Sequence, residues 1–353
     1  MAMLKGRVFT YTDEFTLESG QSLPGFQLFY TTWGTLNEDR SNVVWVCHAF
    51  TGNAFVKDWW EGLFGEGKTF DPAKDFIVCA NSLGSCYGST GPLSINPDTG
   101  KPYYHAFPTL TNRDVVRAFD ALRTHLEIEQ INVLIGGSIG GQQALEWAVE
   151  YPDVARRLVQ IAANARQTPW AIALNESQRM AIEQDVTWQL ATDDAGLEGM
   201  KTARSVALLS YRTYNSYNQA QKETSANLQQ QYRAASYQQY QGEKLAKRFN
   251  AFSYWHFTKM MDSHHVGRNR GGLETALGRV QADTLVIGVD SDQLFPLNEQ
   301  RFVAKYIPRA TFQVIQSLAG HDGFLLETPQ LTTLIDSFLQ KKQQRKTWIP
   351  TVF

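Results

Sequence analysis

A mostly parallel α/β sheet interrupted by a helical insertion is the architecture this sequence predicts, and three observations predict it. Short, continuously apolar runs alternate with segments of helical periodicity, the pattern of strands buried on both faces by crossover helices. One of those runs ends in glycines around a single serine and leads at once into a helix-like segment: INVLIGGSIGGQQALEWAVEYP, residues 131–152. Between about 167 and 275 the buried-strand signal disappears, and stretches such as YNSYNQAQKETSANLQQQYRAASYQQYQGEK take its place.

Taken in order, the first 35 residues read as a hairpin, FTLESGQSLPGFQLFYTTWG, with turn chemistry in Gly20, Pro24 and Gly25. NVVWVCHAF (42–50) and DFIVCANSLG (75–84) are the next strand candidates. Val115, Val116, Phe119, Leu122 and Leu126 repeat at helical spacing through 113–128. A strand at 131–135, a helix at 140–150 and a strand at 155–163 follow. ADTLVIGVDSD (282–292) and ATFQVIQSLAGHD (310–322) are the last strands, each trailed by a helical pattern, LNEQRFVAKYI and LTTLIDSFLQKKQQ. The basic end, Lys341, Lys342, Arg345 and Lys346, reads as a solvated helix terminus favoured by the dipole. The expected organisation is a core domain of residues 1–166 and 276–353 with a helical lid domain of 167–275. Ligands of open α/β sheets bind at the C-terminal edge of the strands, where such a lid would sit.

Composition narrows the function. A formal charge of −2 offers no electrostatic case for nucleic acid. No apolar run approaches the ~18–20 residues of a membrane span, and MAMLKGRVFTYTDEF has no apolar segment of signal-peptide length. Cytoplasmic residence is the expectation, with no membrane partner. Three cysteines, Cys47, Cys79 and Cys86, are too few and too scattered for a disulfide framework or a zinc site. Cys47 and Cys79 sit inside strand runs, where they serve as small hydrophobes. No metal site and no permanently bound cofactor are expected.

The glycine-rich turn admits three readings. In a dinucleotide fingerprint a central glycine lets backbone approach pyrophosphate, and Ser138 occupies that position here. Chance alone yields a G-x-S-x-G about once in ten chains of this length and composition. The third reading is a nucleophile elbow, a strained strand-to-helix turn that requires small residues two positions either side of the serine. Gly136 and Gly140 meet that demand, with a strand before and a helix after. The N-terminal amides of the helix then face the serine, so the N–H of Ile139 becomes an oxyanion donor. An α/β-hydrolase fold needs an acid and then a histidine later in the chain, each after a strand. His321 lies between the last strand and the last helix, in SLAGHDGFLLE. Asp290 and Asp292 both end the preceding strand, and residues two apart share a face, so parity does not separate them. CHAFTGNA (47–54) is the loop for a second oxyanion donor, expected to be the N–H of Phe50.

These segments together resemble the homoserine O-acyltransferase family of the α/β-hydrolase superfamily, over about residues 20 to 330. HAFTGNA resembles the family's oxyanion segment, with Phe50 in place of leucine. NSLGSCYGSTGPLSINPDTGKPY resembles its long loop after the fourth strand, and GGSIGGQQALEWA its elbow. NESQRMAIEQD, YQGEKLAKRFNAFSY, DSDQLFP and GHDGFLLE follow in the family's order. The resemblance implies a triad of Ser138, Asp292 and His321, since the family takes its acid from Ser-Asp-x-Leu-Phe-Pro. It further implies Arg179 as reader of homoserine's carboxylate and Asp322 as reader of its ammonium. Acetyl-CoA is the implied co-substrate and L-homoserine the acceptor, in a ping-pong reaction of methionine biosynthesis. A homodimer through the lid helices is implied as well. Succinyl-CoA as donor, serine as acceptor, and a carboxylesterase remain the alternatives; an esterase for neutral esters has no use for both Arg179 and Asp322. Two departures, Phe55 near a position where histidine is frequent and Asn112 where isoleucine is usual, are expected to reshape the acyl or acceptor pocket.

Overall fold

The computed structural model describes residues 5–225 and 229–340, so the basic run from Lys341 to Lys346 lies outside the described residues. Among those described, one sheet holds eight strands: β1 (Lys5–Tyr11), β2 (Phe26–Trp33), β3 (Val43–Cys47), β4 (Phe76–Ala80), β5 (Ile131–Gly137), β6 (Ala155–Ile161), β7 (Asp283–Val289) and β8 (Ala310–Ile315). Their order across the sheet is β1-β2-β4-β3-β5-β6-β7-β8. Only β1/β2 and β2/β4 are antiparallel; β4 through β8 run parallel. The expected hairpin is nested: β1 pairs with β2, while a short pair, Phe15–Thr16 with Ser22–Leu23, lies between them.

β3 shows why its sequence is continuously apolar. Val43, Trp45 and Cys47 join the core on one face of the sheet, and Val44 and Val46 join the core on the other. Five consecutive residues are therefore buried, as a strand covered on both sides requires. Trp45 packs edge-on against Trp147, with ring centroids 5.0 Å apart.

The helices fall where periodicity predicts them, with caps setting their starts. Helix α1 (Asn112–His125) opens with a reciprocal capping box between Thr111 and Asp114. Helix α2 (Ile139–Glu150) follows the elbow. Among the described residues six helices lie between β6 and β7: α3 (Pro169–Glu183), α4 (Leu197–Tyr211), α5 (Tyr214–Ala220), α6 (Arg233–Ala246), α7 (Ala251–Asp262) and a short one, Leu273–Leu277. Thr168 caps α3 with proline at its first position, and the Asn250 side chain accepts from the Ser253 N–H to cap α7. α8 (Leu297–Tyr306) and α9 (Thr328–Gln340) complete the fold. No helix among the described residues is long and apolar enough to cross a membrane.

The strands stop earlier than their apolar runs. Residues 48–50, 81–84, 162–163, 290–292 and 316–322 read as strand continuations but form loops at the C-terminal edge of the sheet, the last ending in a 3-10 turn at Gly320–Asp322. Their low polarity has a physical cause, because most of these residues are buried beneath the helical insertion rather than exposed as loops usually are. Every candidate site residue outside the insertion and the elbow comes from one of these loops.

Candidate active site

The turn between β5 and α2 explains its own glycines. Ser138 has φ 58° and ψ −130°, a left-handed conformation rare for a side-chain-bearing residue. A Cβ on Gly136 would lie 2.2 Å from the carbonyl oxygen of Gly140, because strand end and helix start nearly touch. A Cβ on Gly140 would lie 2.2 Å from the Cys47 carbonyl oxygen and 2.8 Å from that of His48. The elbow is thus pressed against the loop that follows β3. Gly137 faces the ring of Phe324, and Gly141 faces Ala163.

The tip of the turn carries a hydrogen-bonded chain. Ser138 Oγ donates to His321 Nε2 at 2.8 Å, and His321 Nδ1 donates to Asp292 Oδ2 at 2.7 Å. A carboxylate only accepts, so the Nδ1–H tautomer follows. Asp292 Oδ1 is occupied by the N–H groups of Leu294 and Phe295, at 2.8 and 2.9 Å. Asp290, the alternative acid, instead accepts from the Ser317 N–H. All three chain members are buried, Ser138 at 8% exposure. Burial opposes protonation of His321, but the Asp292 charge and hydrogen bond, aided by the charge of Asp322, outweigh it and raise its pKa. Rings of Tyr211, Phe295 and Phe324 surround the imidazole, with centroids 5.8, 5.2 and 5.2 Å away.

The two backbone donors expected from sequence belong to α2 and to the β3 loop. Ile139 is the first residue of α2, whose opening N–H groups have no intrahelical acceptor. Phe50 sits in the β3 loop, and its N–H meets no backbone acceptor among the described residues. The Phe50 ring packs at 4.7 Å from Tyr254 and at 5.9 Å from Phe257, both on α7. Its side chain therefore fixes the loop against the insertion and leaves the N–H for other use.

The two residues expected to read an amino acid stand differently. Asp322 follows His321 directly and pairs with the Arg212 guanidinium at 2.9 Å. Arg179 on α3 is only 2% exposed and is paired with Glu176 and, at 2.6 Å, with Asp262. Its Nη1 is buried without a partner. Neither carboxylate touches the serine–histidine chain, and a third anion beside two existing ones would be repelled. Arg204 on α4 is placed otherwise. Its guanidinium lies 5.5 Å from the ring of Tyr211, the residue that packs on His321. Its charge also acts on Tyr254, the residue that packs on Phe50. Burial pushes the Tyr211 hydroxyl up to about 12. Arg204 was not singled out from sequence; the available signal is its seven-residue spacing from Tyr211, two turns on one helix face. Among the described residues no group of three or more His, Cys, Asp or Glu side chains converges as metal ligands would.

The chain resembles known proteins along most of its length. The family model for the alpha/beta hydrolase fold matches residues 42–328. A homoserine O-acetyltransferase of Cyclobacterium marinum is 51% identical over 331 residues, 94% of each chain. One of Nostoc punctiforme is 43% identical over 93% of this chain and 94% of its own. The chain belongs to the homoserine O-acetyltransferase family. Among solved structures, the homoserine O-acetyltransferase from Bacillus anthracis superposes with a TM-score of 0.90 at 26% identity, covering 97% of this chain and 99% of that one. Esterase E22 superposes at 0.87 with 25% identity over 96% and 100%.

Within the homoserine O-acetyltransferase family pattern, Asn112 proves not to be a pocket residue. Its Nδ2 donates to His264 Nδ1 at 3.2 Å and lies 3.4 Å from Gln142 Oε1, inside a buried polar network behind α2. His264 Nε2 in turn donates to the Asn164 carbonyl at 3.1 Å. An isoleucine could not serve His264, so the departure belongs to the seam between insertion and sheet. Phe55 stacks obliquely on Phe29 at 5.7 Å, at the far end of the β3 loop.

Proposed function

We propose that the protein transfers an acetyl group from acetyl-CoA to the side-chain hydroxyl of L-homoserine through an acyl-serine. The observation that carries this reading is a buried Ser138–His321–Asp292 chain in a sequence 51% identical to a homoserine O-acetyltransferase. Ser138 Oγ attacks the thioester carbonyl as its proton passes to His321 Nε2. The N–H groups of Phe50 and Ile139 hold the oxyanion, each such donor contributing roughly 3–4 kcal/mol to the transition state. The intermediate collapses by breaking the C–S bond, and the proton on His321 goes to the departing CoA sulfur. Homoserine's hydroxyl then gives its proton to His321 and attacks the acyl-serine carbonyl; the C–Oγ bond to Ser138 breaks, and the proton passes from His321 to the departing Oγ. Asp292 holds the tautomer and stabilises the imidazolium without taking the proton.

Homoserine is read by its charges: a carboxylate suits a guanidinium fork and an ammonium suits Asp322. The family resemblance implies Arg179 as the residue for the carboxylate. Arg204 is the better-supported one, because it carries no carboxylate partner among the described residues and stands beside Tyr211 and Tyr254. Arg204→Ala is then expected to raise the KM for homoserine far more than Arg179→Ala, and the reverse order restores Arg179 to the role. A covered site supports transfer over hydrolysis by keeping bulk water from the acyl-serine. Cytoplasmic residence, a place in methionine biosynthesis and a homodimer complete the proposal. Trp170, Met180, Val186 and Leu190, exposed on and after α3, supply an apolar surface for a second copy.

The esterase relationship keeps a second reading in play, and one assay separates the two. Thiol release from acetyl-CoA that requires L-homoserine and vanishes in Ser138→Ala supports transfer. Release at an equal rate without homoserine identifies a thioesterase, and activity only with succinyl-CoA changes the donor.

A further inference from the structure

The β3 loop is anchored by a buried histidine that the reaction never touches. His48 follows β3 directly and is 1% exposed. Its Nε2 accepts the backbone N–H of Ser82 at 3.0 Å. A ring nitrogen that accepts carries no proton, so in the neutral imidazole the proton sits on Nδ1. There it donates to the carbonyl oxygen of Ala49 at 2.8 Å. Burial lowers the pKa of His48 to about 4, which keeps this neutral tautomer in place at ordinary pH.

The Ala49 carbonyl receives a second bond, from the N–H of Gly52 at 2.8 Å. In a trans peptide the C=O and the following N–H point in opposite directions. Holding Ala49 O against His48 and Gly52 therefore turns the N–H of Phe50 the other way, where it meets no backbone acceptor among the described residues. The elbow lies close by, since a Cβ on Gly140 would fall 2.2 Å from the Cys47 carbonyl oxygen and 2.8 Å from that of His48. The far end of the loop is fixed separately: Asn81 Oδ1 accepts from the Ala54 N–H at 2.6 Å, and Thr31 Oγ1 donates to the Ala54 carbonyl at 2.7 Å.

We propose that His48 is a positioning residue for acyl transfer, its Nδ1–H aiming the Ala49–Phe50 peptide so that the Phe50 N–H faces the developing oxyanion. The proposal rests on Phe50 as an oxyanion donor. Two substitutions divide the imidazole's duties. His48→Asn puts an amide N–H near the place of Nδ1 and gives up the bond to Ser82. His48→Gln can accept from Ser82 but has no donor for Ala49.

The test measures serine acylation of the full chain by p-nitrophenyl acetate, together with the affinity of methylboronic acid, whose tetrahedral adduct puts an oxygen in the hole. His48→Gln is expected to lower the acylation rate about 100-fold, with KM changed less than about twofold and boronate affinity falling in step with the rate. His48→Asn is expected to stay within about fivefold of the wild type. Equal losses in both variants, or a loss confined to KM, overturn the proposal. Should His48→Gln fail to fold, His48→Asn decides alone: near-native acylation supports the proposal and a slow rate overturns it. A wild type whose nitrophenolate burst is absent, or survives in Ser138→Ala, overturns the acyl-serine reading itself. A normal wild-type burst with indifferent His48 variants overturns only the role of His48.

Discussion

At the left-handed turn of residue 138, one side chain is held against the His321 imidazole, and that conformation is kept by its neighbours. Ser138→Ala is expected to lower kcat by roughly 10⁵–10⁶-fold without changing the thermal midpoint, as pre-steady-state thiol release and calorimetry would register. Gly140→Ala brings a methyl carbon against two backbone oxygens of the β3 loop, so the loop must move. A stability loss of about 1–3 kcal/mol is expected with a fall in kcat, measurable by denaturant titration beside the assay. Asp322 raises the pKa of His321 by its charge. Because His321 must be neutral to accept the serine proton, Asp322→Asn shifts the acidic limb of kcat/KM for acylation to lower pH. A limb that stays put would remove Asp322 from the electrostatics of the base. Much of this residue-level picture is legible in the sequence. The spacing around Ser138 encodes a steric demand, and the positions of the acid and the histidine follow from chain order. The choice between Asp290 and Asp292 is not, because it depends on which loop N–H groups each carboxylate meets. Nor is the partnership of Arg179, which is decided by Glu176 on its own helix and Asp262 some eighty residues away.

Elements are more legible than residues, for a simple reason: burial on both faces writes a continuous apolar run, and burial on one face writes a helical stripe. α2 lies against the sheet through Trp147, whose ring meets Trp45 on β3 and Phe119 on α1. Trp147→Ala removes a fully buried indole and is expected to cost about 3–5 kcal/mol in denaturant unfolding. A loss under about 1 kcal/mol would mean that the site refills by collapse. Strand ends are less legible, since loops covered by other helices keep the composition of strands. The end of α4 illustrates the difficulty from the other side. Thr213 Oγ1 donates to the Leu318 carbonyl at 2.6 Å, and Arg212 pairs with Asp322, so the residues after α4 are tied to the histidine loop. Nothing in the local pattern of LLSYRTYNSY announces a partner more than a hundred residues away.

For the whole molecule, proton linkage gives a prediction with a definite sign. His48 and His256 are lowered to about 4, and His264 to about 3, all chiefly by burial. Each unfolded imidazole takes up its proton near 6.5, so the unfolded state binds more protons between that value and the folded one. The stability these groups supply is complete above about pH 6.5 and is lost as pH falls toward 4, by a few kcal/mol for each group. Asp75, raised to about 6 by burial, and His321 work in the opposite direction. His256→Phe should flatten the dependence of the thermal midpoint between pH 4 and 6.5. An unchanged slope would show that His256 does not contribute.

The apolar core on the α1 and α2 face is continuous with the insertion: Ile182, Phe252, Tyr254 and Phe257 belong to the same buried cluster as Trp45, Phe50 and Phe119. For protein engineering this sets the unit of exchange. Acceptor preference cannot be swapped by splicing in the helices of an esterase at two loop boundaries, because the graft would leave half of a shared interior without its complement. A workable chimera must carry the matching side chains of β3, its loop and α1 along with the helices, so the heritable module of specificity is an interior and not a contiguous stretch of gene.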